Sequence, residues 1–405
     1  MASTPKLFQP LTIRGVTLPN RVALSPLCMY SAVDGIAGPW LFAHLSTFAR
    51  GKVGLVFTEA TAVEPRGRIT PRCLGIWSDE HAAAIKPTVD FILAQGCVPG
   101  IQLAHAGRKA SARPPFGERP GAPLSTEADA AEFPPGKWET VAPSAISAGG
   151  PWPTPAELDG AGLSAIKQAF VDAAERSVAI GFKVIELHMA HGYLFHSFYS
   201  PVSNTRTDSY GGSFENRCRF PLECARAVRA ALPDTVVLSA RLSCVDGGAN
   251  EAGESWGVED TVAFAKLLRD AGVDVIDCSS GGITGAPRFR VTDDGKPLTK
   301  ESARGPGFQV PYATAVKEAV PEVASMAVGV IVDPHQAEAI LEEGKADIVA
   351  LGRELMYNPF WTLHAAQALG ADEGFTMWPA QYGWAVNRRA QIRTLNQDDA
   401  AAQKK

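Results

Sequence analysis

S-A-I-K-Q-A-F-V-D-A-A-E-R-S-V-A-I-G-F-K-V-I-E-L-H, residues 164–188, holds the unit from which the whole chain is built. Residues 164–179 read as a helix, Gly181 closes it, and residues 183–187 form a short apolar run with the β-branched character of a buried strand. Directly after that strand come His188, His191 and Tyr193. Two imidazoles can donate hydrogen bonds to an oxygen that gains negative charge, and a phenol two residues on can deliver a proton. Taken alone, the same group also fits hydrogen-bonded loop histidines or half of a metal site.

Outward from this stretch, strand, loop, helix and closing glycine recur in both directions. On the N-terminal side lie strands at 98–103, 53–58 and 21–24, with helices at 79–95 and 40–49 that end at Gly96 and Gly51. On the C-terminal side lie strands at 236–242, 273–278, 324–328 and 347–351, with a helix at 258–271 before Gly272 and with Gly344 ahead of the last strand. Eight strands alternating with helices, several of them apolar on both faces, predict an all-parallel α/β sheet closed into a (β/α)8 TIM barrel. An open doubly wound sheet is the competing arrangement. Against it, no G-x-G-x-x-G follows the first strand; Gly281, Gly282 and Gly285 come after strand six in the wrong pattern, and a G-x-x-x-x-G-K-[ST] loop is also missing.

Two segments stand outside the repeat. Residues 11–18 alternate about Gly15 and predict an N-terminal hairpin that caps one end of the barrel. Residues 107–160, rich in Pro, Gly and Ala and without helical period, form a long insertion after strand three, read as an active-site wall or lid. Residues 1–384 are expected to be one barrel domain and 385–405 a polar C-terminal tail.

Composition narrows the function classes. The chain has 405 residues, 46% hydrophobic and 20% charged, and 38 Lys+Arg against 43 Asp+Glu give a net charge of -5, so nothing calls for nucleic acid. The first ten residues lack an apolar core, and the longest apolar run, 323–332, is far below the roughly 18 residues of a membrane span. A soluble, cytoplasmic protein without a membrane partner is expected. Seven cysteines make an odd count with no C-x-x-C pair, and Cys218 and Cys224 fall on different faces of a helix. This argues against a disulfide framework and against a zinc or iron–sulfur site of the usual spacing; no metal is expected.

Catalytic groups of such a barrel come from the C-terminal ends of its strands. Those ends carry Ser25, Pro26, Cys28 and Tyr30, then Glu59 and Ala60, Gln102 and His105, His188, His191 and Tyr193, Arg241, Gly329, and finally Gly352 and Arg353. Glycine at the last two strand ends lets backbone approach an anion, and Arg353 adds a forked cation, so a phosphate cradle is expected there. The Gln102 amide suits the edge of a planar heterocycle, and Arg241 could neutralise charge that such a ring gains on reduction. Cys28 would lie near the redox-active face, although a buried structural thiol is the more ordinary role for a lone cysteine.

These residues resemble the old yellow enzyme family of FMN-dependent ene-reductases, in particular its bacterial-type subclass with thermostable members. The likeness spans residues 7–384. It is carried by N-R-V-A-L-S-P-L-C-M-Y, T-E-A-T-A-V, Q-L-A-H-A-G-R-K, A-D-I-V-A-L-G-R-E-L and the long run from E-L-H-M-A-H-G-Y to G-G-S-F-E-N-R. The resemblance implies that Ser25, Pro26, Leu27, Cys28, Ala60, Gln102, Arg241, Gly329, Gly352 and Arg353 hold FMN. It also implies that His188 and His191 bind a carbonyl or nitro oxygen, that Tyr193 donates a proton and that Tyr30 touches substrate. NADPH or NADH would reduce the flavin and leave, and an activated alkene such as an enone would then take the same pocket. Cys28 and His191 stand where the long-known branch has threonine and asparagine, and Ala104 replaces its bulky tryptophan, implying a roomier pocket. In A-Q-Y-G-W, Trp384 matches a residue sent into a neighbouring subunit's site of a homodimer or homotetramer. A metal-dependent barrel hydrolase using His188 and His191, and a flavin-storage barrel without turnover, are the alternatives from other classes.

Overall fold

The structure is a computed structural model describing residues 4–134, 136–283 and 305–388. Gly285 and residues 389–405 of the expected polar tail lie outside the described residues. β1 (Leu11–Ile13) and β2 (Val16–Leu18) form the antiparallel hairpin. The barrel strands are β3 (Val22–Leu24), β4 (Leu55–Ala62), β5 (Val98–Ala104), then, after the short pair β6 (Val141–Ala142) and β7 (Ala156–Glu157), β8 (Val184–Met189), β9 (Val237–Ser243), β10 (Val275–Ser279), β11 (Ala324–Val328) and β12 (Ile348–Leu351). All eight barrel strands pair in parallel, and β12 closes on β3 in the register Leu351↔Leu24. The TIM barrel expected from the recurring unit is therefore the fold.

The helices are α1 (Pro39–Arg50), α2 (Asp79–Ala94), α3 (Glu127–Glu132), α4 (Gly160–Ala179), α5 (Leu194–Tyr199), α6 (Phe214–Ala231), α7 (Val258–Asp270), α8 (Val310–Ala319), α9 (Pro334–Glu342), α10 (Arg353–Tyr357), α11 (Trp361–Ala368) and α12 (Ala380–Val386). Local chemistry starts several of them. The Asp159 side chain accepts from Gly162 N–H at α4, Ser213 from Asn216 N–H at α6, and Asp333 from His335 and Gln336 N–H at α9. Each satisfies an orphan donor and contributes ~1 kcal/mol.

Inside the barrel, Leu55, Val98, Val184, Val237, Val275, Met326 and Ile348 pack with Val16 and Leu18 of the hairpin, which plugs the N-terminal end as expected. Each such side chain, buried, stabilises by about 1.5–3 kcal/mol. The helices pack outside the strands through a second, larger apolar cluster. Above the apolar floor the interior turns polar, with Gln102, Glu186, Ser239, Arg241 and Asp277 all buried. Helices α4, α6 and α9 and the strands thus fix a rigid frame, and chemistry is left to its C-terminal rim.

Two local expectations are corrected. β4 does not end at Glu59 and Ala60 but continues to Ala62. A register shift against β5 between Phe57 and Ala60 puts Glu59 in a bulge, which re-aims its side chain toward the loop after β3. The insertion, which lacks helical period, nonetheless contains α3. Thr126 and Asp129 close a capping box around it, and six residues are too few for a period to appear. The buried Asp129 carboxylate also binds Arg113 at 2.6 Å and Arg119, and accepts from Ser125 and Thr126 N–H. Trp138 donates to Arg66 O at 2.9 Å, and Arg68 lies between the Trp77 and Trp138 rings. These contacts tie the insertion to the β4–α2 loop. They also bring Phe116 edge-on to Tyr30, with centroids 6.0 Å apart.

Candidate active site

Because every barrel strand points the same way, the residues after β3, β4, β5, β8, β9, β11 and β12 share one rim. Tyr193 and Arg353 are therefore at the same end. Ser25 N–H donates to Leu351 O at 2.9 Å, which places the Ser25–Cys28 segment beside Gly352 at the closing seam.

At the end of β8 the rings of His188 and Tyr193 meet edge-on with centroids 5.1 Å apart, and those of His188 and His191 do the same at 5.1 Å. Ala190 N–H donates to His188 Nδ1 at 3.3 Å, so the His188 proton sits on Nε2, which faces His191 Nδ1 at 3.4 Å. His191 Nε2 lies 2.8 Å from Ser279 Oγ at the end of β10. Burial, with Arg241 adding to it, holds both imidazoles well below the usual histidine range. They are neutral, with one N–H each. Burial pushes the Tyr193 phenol up, so it keeps its proton.

The turn carrying these groups is clamped. His191 has φ 62° and Gly192 φ 73°; a Cβ on Gly192 would fall 2.1 Å from Gly282 O, and one on Gly282 2.6 Å from His191 backbone. Only glycine permits that approach. His191 N–H donates to Ser243 Oγ at 2.8 Å, and Lys109 Nζ donates to His191 O at 2.7 Å and Gly282 O at 3.1 Å. The Lys109 ammonium also lies 5.1 Å from the Tyr193 ring centroid. Burial, helped by Arg108, holds it down to about 8. Gly192 N–H donates to His196 Nδ1 at 2.8 Å, and His196 Nε2 meets Asp246 Oδ1 at 2.7 Å, a buried pair fixing the turn from behind.

On the β3 side, Tyr30 has φ 51°. The buried Glu59 carboxyl accepts from Met29 N–H at 3.3 Å, and burial pushes it up to about 8. Cys28 is partly buried, and burial raises its thiol well above the usual range.

The remaining rim residues fit a planar, phosphate-bearing cofactor. Gln102 donates to Glu186 Oε1 at 2.9 Å, and Ser239 donates to Glu186 Oε2 at 2.9 Å. Arg241 Nε is 3.2 Å from Asp277 Oδ2, but at an angle that leaves this buried nitrogen without a hydrogen-bond acceptor among the described residues. The Arg241 guanidinium, buried beside Asp277, brings a fixed positive charge to the rim that suits a ring gaining negative charge on reduction. Between the ends of β11 and β12 a cleft of about 450 Å³ is lined by Phe308, Gln309, Gly329, Val330, Gly352 and Arg353. Gly329 has φ 124°, and a Cβ there would meet Phe308 and Gln309 at 3.0 Å. Bare backbone beside Arg353 suits a phosphate.

Trp384, on α12, is 67% exposed; its indole donates to Gln381 O, and it does not cover its own barrel. Among the described residues no group of three or more His, Cys, Asp or Glu side chains could hold a metal ion, and no helix is long and apolar enough to cross a membrane. Lys109, Ser243, Ser279 and the His196–Asp246 pair escaped the sequence reading. Lys109 lies within Q-L-A-H-A-G-R-K, but its reach to the β8 turn has no local signature. The serines lie at strand ends, where the barrel rule alone pointed.

A closed parallel barrel with an acid and two neutral imidazoles on the rim that also bears the cleft at Gly329, Gly352 and Arg353 fits a flavin-dependent oxidoreductase. The model of the NADH:flavin oxidoreductase / NADH oxidase family matches residues 6–372. An NADH:flavin oxidoreductase of Gibberella zeae is 42% identical over 381 residues, covering 92% of this chain and 87% of that protein. An NADPH dehydrogenase of Bacillus subtilis is 39% identical over 383 residues, covering 94% and 99%. Among solved structures, morphinone reductase superposes with a TM-score of 0.69 at 26% identity, covering 90% of each chain. The chain belongs to the NADH:flavin oxidoreductase / NADH oxidase family. It is an NAD(P)H-dependent flavin oxidoreductase of the old yellow enzyme type, with FMN as its cofactor.

Proposed function

We propose that the enzyme reduces activated C=C bonds of α,β-unsaturated carbonyl compounds, and of nitroalkenes, in alternation with oxidation of the nicotinamide in the same pocket. The observation that carries this reading is the convergence of His188, His191 and Tyr193 in one cluster, with His188 buried and the other two partly open to the rim. Ser25, Pro26, Leu27, Cys28, Ala60, Gln102 and Arg241 would hold the flavin ring, and Gly329, Gly352 and Arg353 its phosphate. FMN, once reduced, supplies a hydride to the alkene β-carbon.

The chain's own residues do the rest. As charge builds on the carbonyl or nitro oxygen, His188 and His191 present N–H donors to it. Such donors stabilise the transition state more than the ground state, and losing one costs about 10²–10³ in rate. Tyr193, held protonated by burial, gives its proton to the α-carbon, a contribution of about 10²–10⁴. Lys109 above the ring favours the phenolate that remains. Tyr30 and Phe116 form the opposing wall, so the insertion shapes the substrate space. Trp384, exposed on α12, is assigned to a neighbouring subunit's pocket in a homodimer or homotetramer.

Stopped-flow kinetics of the two half-reactions test the assignment. Tyr193→Phe should leave flavin bleaching by NADPH intact and slow re-oxidation by 2-cyclohexenone about 10²-fold or more. Equal losses in both halves would remove Tyr193 as the proton donor.

A further inference from the structure

The pairing of the two imidazoles depends on a third side chain. His188 has its tautomer fixed by Ala190 N–H on Nδ1, so its single proton points from Nε2 at His191 Nδ1. His191 is not fixed in the same way. Its Nε2 faces Ser279 Oγ at 2.8 Å, and a hydroxyl can accept or donate. With Ser279 accepting, His191 carries its proton on Nε2 and its Nδ1 accepts from His188. The pair then closes on itself and leaves an incoming oxygen no free donor. With Ser279 donating, the His191 proton moves to Nδ1. His188 Nε2–H and His191 Nδ1–H, 3.4 Å apart, then face one space as two donors with no acceptor between them. An oxygen bridging both satisfies them at once.

We propose that Ser279 is a positioning residue that switches the tautomer of His191, accepting from Nε2 in the free enzyme and donating to Nε2 when a substrate oxygen bridges the two imidazoles. The inference rests on the reading above, that His188 and His191 bind that oxygen. The change shifts one proton between the nitrogens of a single ring and turns one hydroxyl, so no proton or charge is gained or lost. Ser279 is suited to this: it is buried, it ends β10, and its backbone is held by Cys244 N–H donating to Ser279 O at 2.9 Å. Its hydroxyl stays aimed at His191 while remaining free to rotate. An asparagine or lysine there could not both accept and donate from one atom. The resting pair also explains how two neutral imidazoles pack in van der Waals reach without an unsatisfied nitrogen.

The test uses the FMN-bound enzyme with ¹⁵N-labelled histidine, the ring signals being assigned through His191→Gln, and 4-nitrophenolate as the probe. In the free wild-type enzyme both His188 and His191 should be protonated on Nε2. With 4-nitrophenolate bound, His188 should be unchanged and His191 should move its proton to Nδ1. Ser279→Ala should abolish that move and weaken 4-nitrophenolate binding, followed by its own colour, about 10–100-fold, the loss expected for one hydrogen bond to a charged group. Ser279→Thr should restore both. Binding to wild type with His191 still protonated on Nε2 would overturn the switch while sparing the oxygen site. Wild-type binding and tautomer change in Ser279→Ala would overturn it too. Failure of 4-nitrophenolate to bind wild type would overturn the oxygen site itself, and the switch with it.

Discussion

Gly282→Ala is the sharpest probe of how the β8 turn is held. The new Cβ would lie 2.6 Å from the Cα, C and O of His191, where ordinary contact begins at 3.4 Å, so the two segments must part by about 0.8 Å. Neither can yield freely. His191 is tied by Ser243 and Lys109, and Lys109 also holds Gly282 O. Gly282 has φ 97°, so alanine adds backbone strain of about 1–2 kcal/mol to an overpacking cost of about 1–3 kcal/mol. The larger consequence is kinetic. A displacement near 1 Å of a positioned donor costs ~10²-fold in rate, and the loss should fall on alkene reduction. Gly212→Ala is the control, since Gly212 has φ 79° with nothing within 4 Å and bears the strain alone. Thermal melts and single-turnover re-oxidation by 2-cyclohexenone of both variants decide. If Gly282→Ala melts and turns over like Gly212→Ala, the clamp reasoning is wrong.

Other outcomes follow from the same geometry. Lys109 loses its proton above about pH 8, removing the cation that faces Tyr193, so alkene reduction should fall above that pH. Lys109→Met should be slower by about tenfold at pH 7 and lack that alkaline limb, as a pH series of single turnovers would record. Glu59 is pushed up to about 8 from an ordinary 4.5. The folded state therefore binds its proton more tightly, and this contribution is complete below pH 4.5 and lost as pH rises through about 8. Glu59→Gln should remove that slope, on the order of several kcal/mol, so urea midpoints of variant and wild type should converge or cross between pH 5 and pH 9. Arg353→Ala should weaken FMN about 10–100-fold, measured as cofactor lost on dialysis, with the barrel's far-ultraviolet spectrum unchanged.

The barrel was legible because each unit announces itself locally: a helix of three or four turns, a glycine, a short apolar strand. The rim followed from direction, since parallel strands deliver Cys28, Gln102, His188, Arg241 and Arg353 to one end whatever the loops do. What stayed hidden depends on closure. Ser279 reaches His191 only because β8, β9 and β10 are neighbours, and Lys109 reaches the β8 turn only because β5 pairs with β8. The bulge at Glu59 is a register event between two strands, invisible in either alone. Within the insertion, Thr126 and Asp129 carry a capping box, but a six-residue helix has no period to announce it.

The seam between β3 and β12 ties the cleft at Gly352 and Arg353 to the order of synthesis. The first barrel strand waits for the last, and Ser25 finds its partner only when the chain has been made through Leu351. A nascent chain stopped before Ile348 has no closed ring, no Gly352 and no Arg353. A flavin bridging that junction would act as a latch on the ring, favouring closed barrels over open ones.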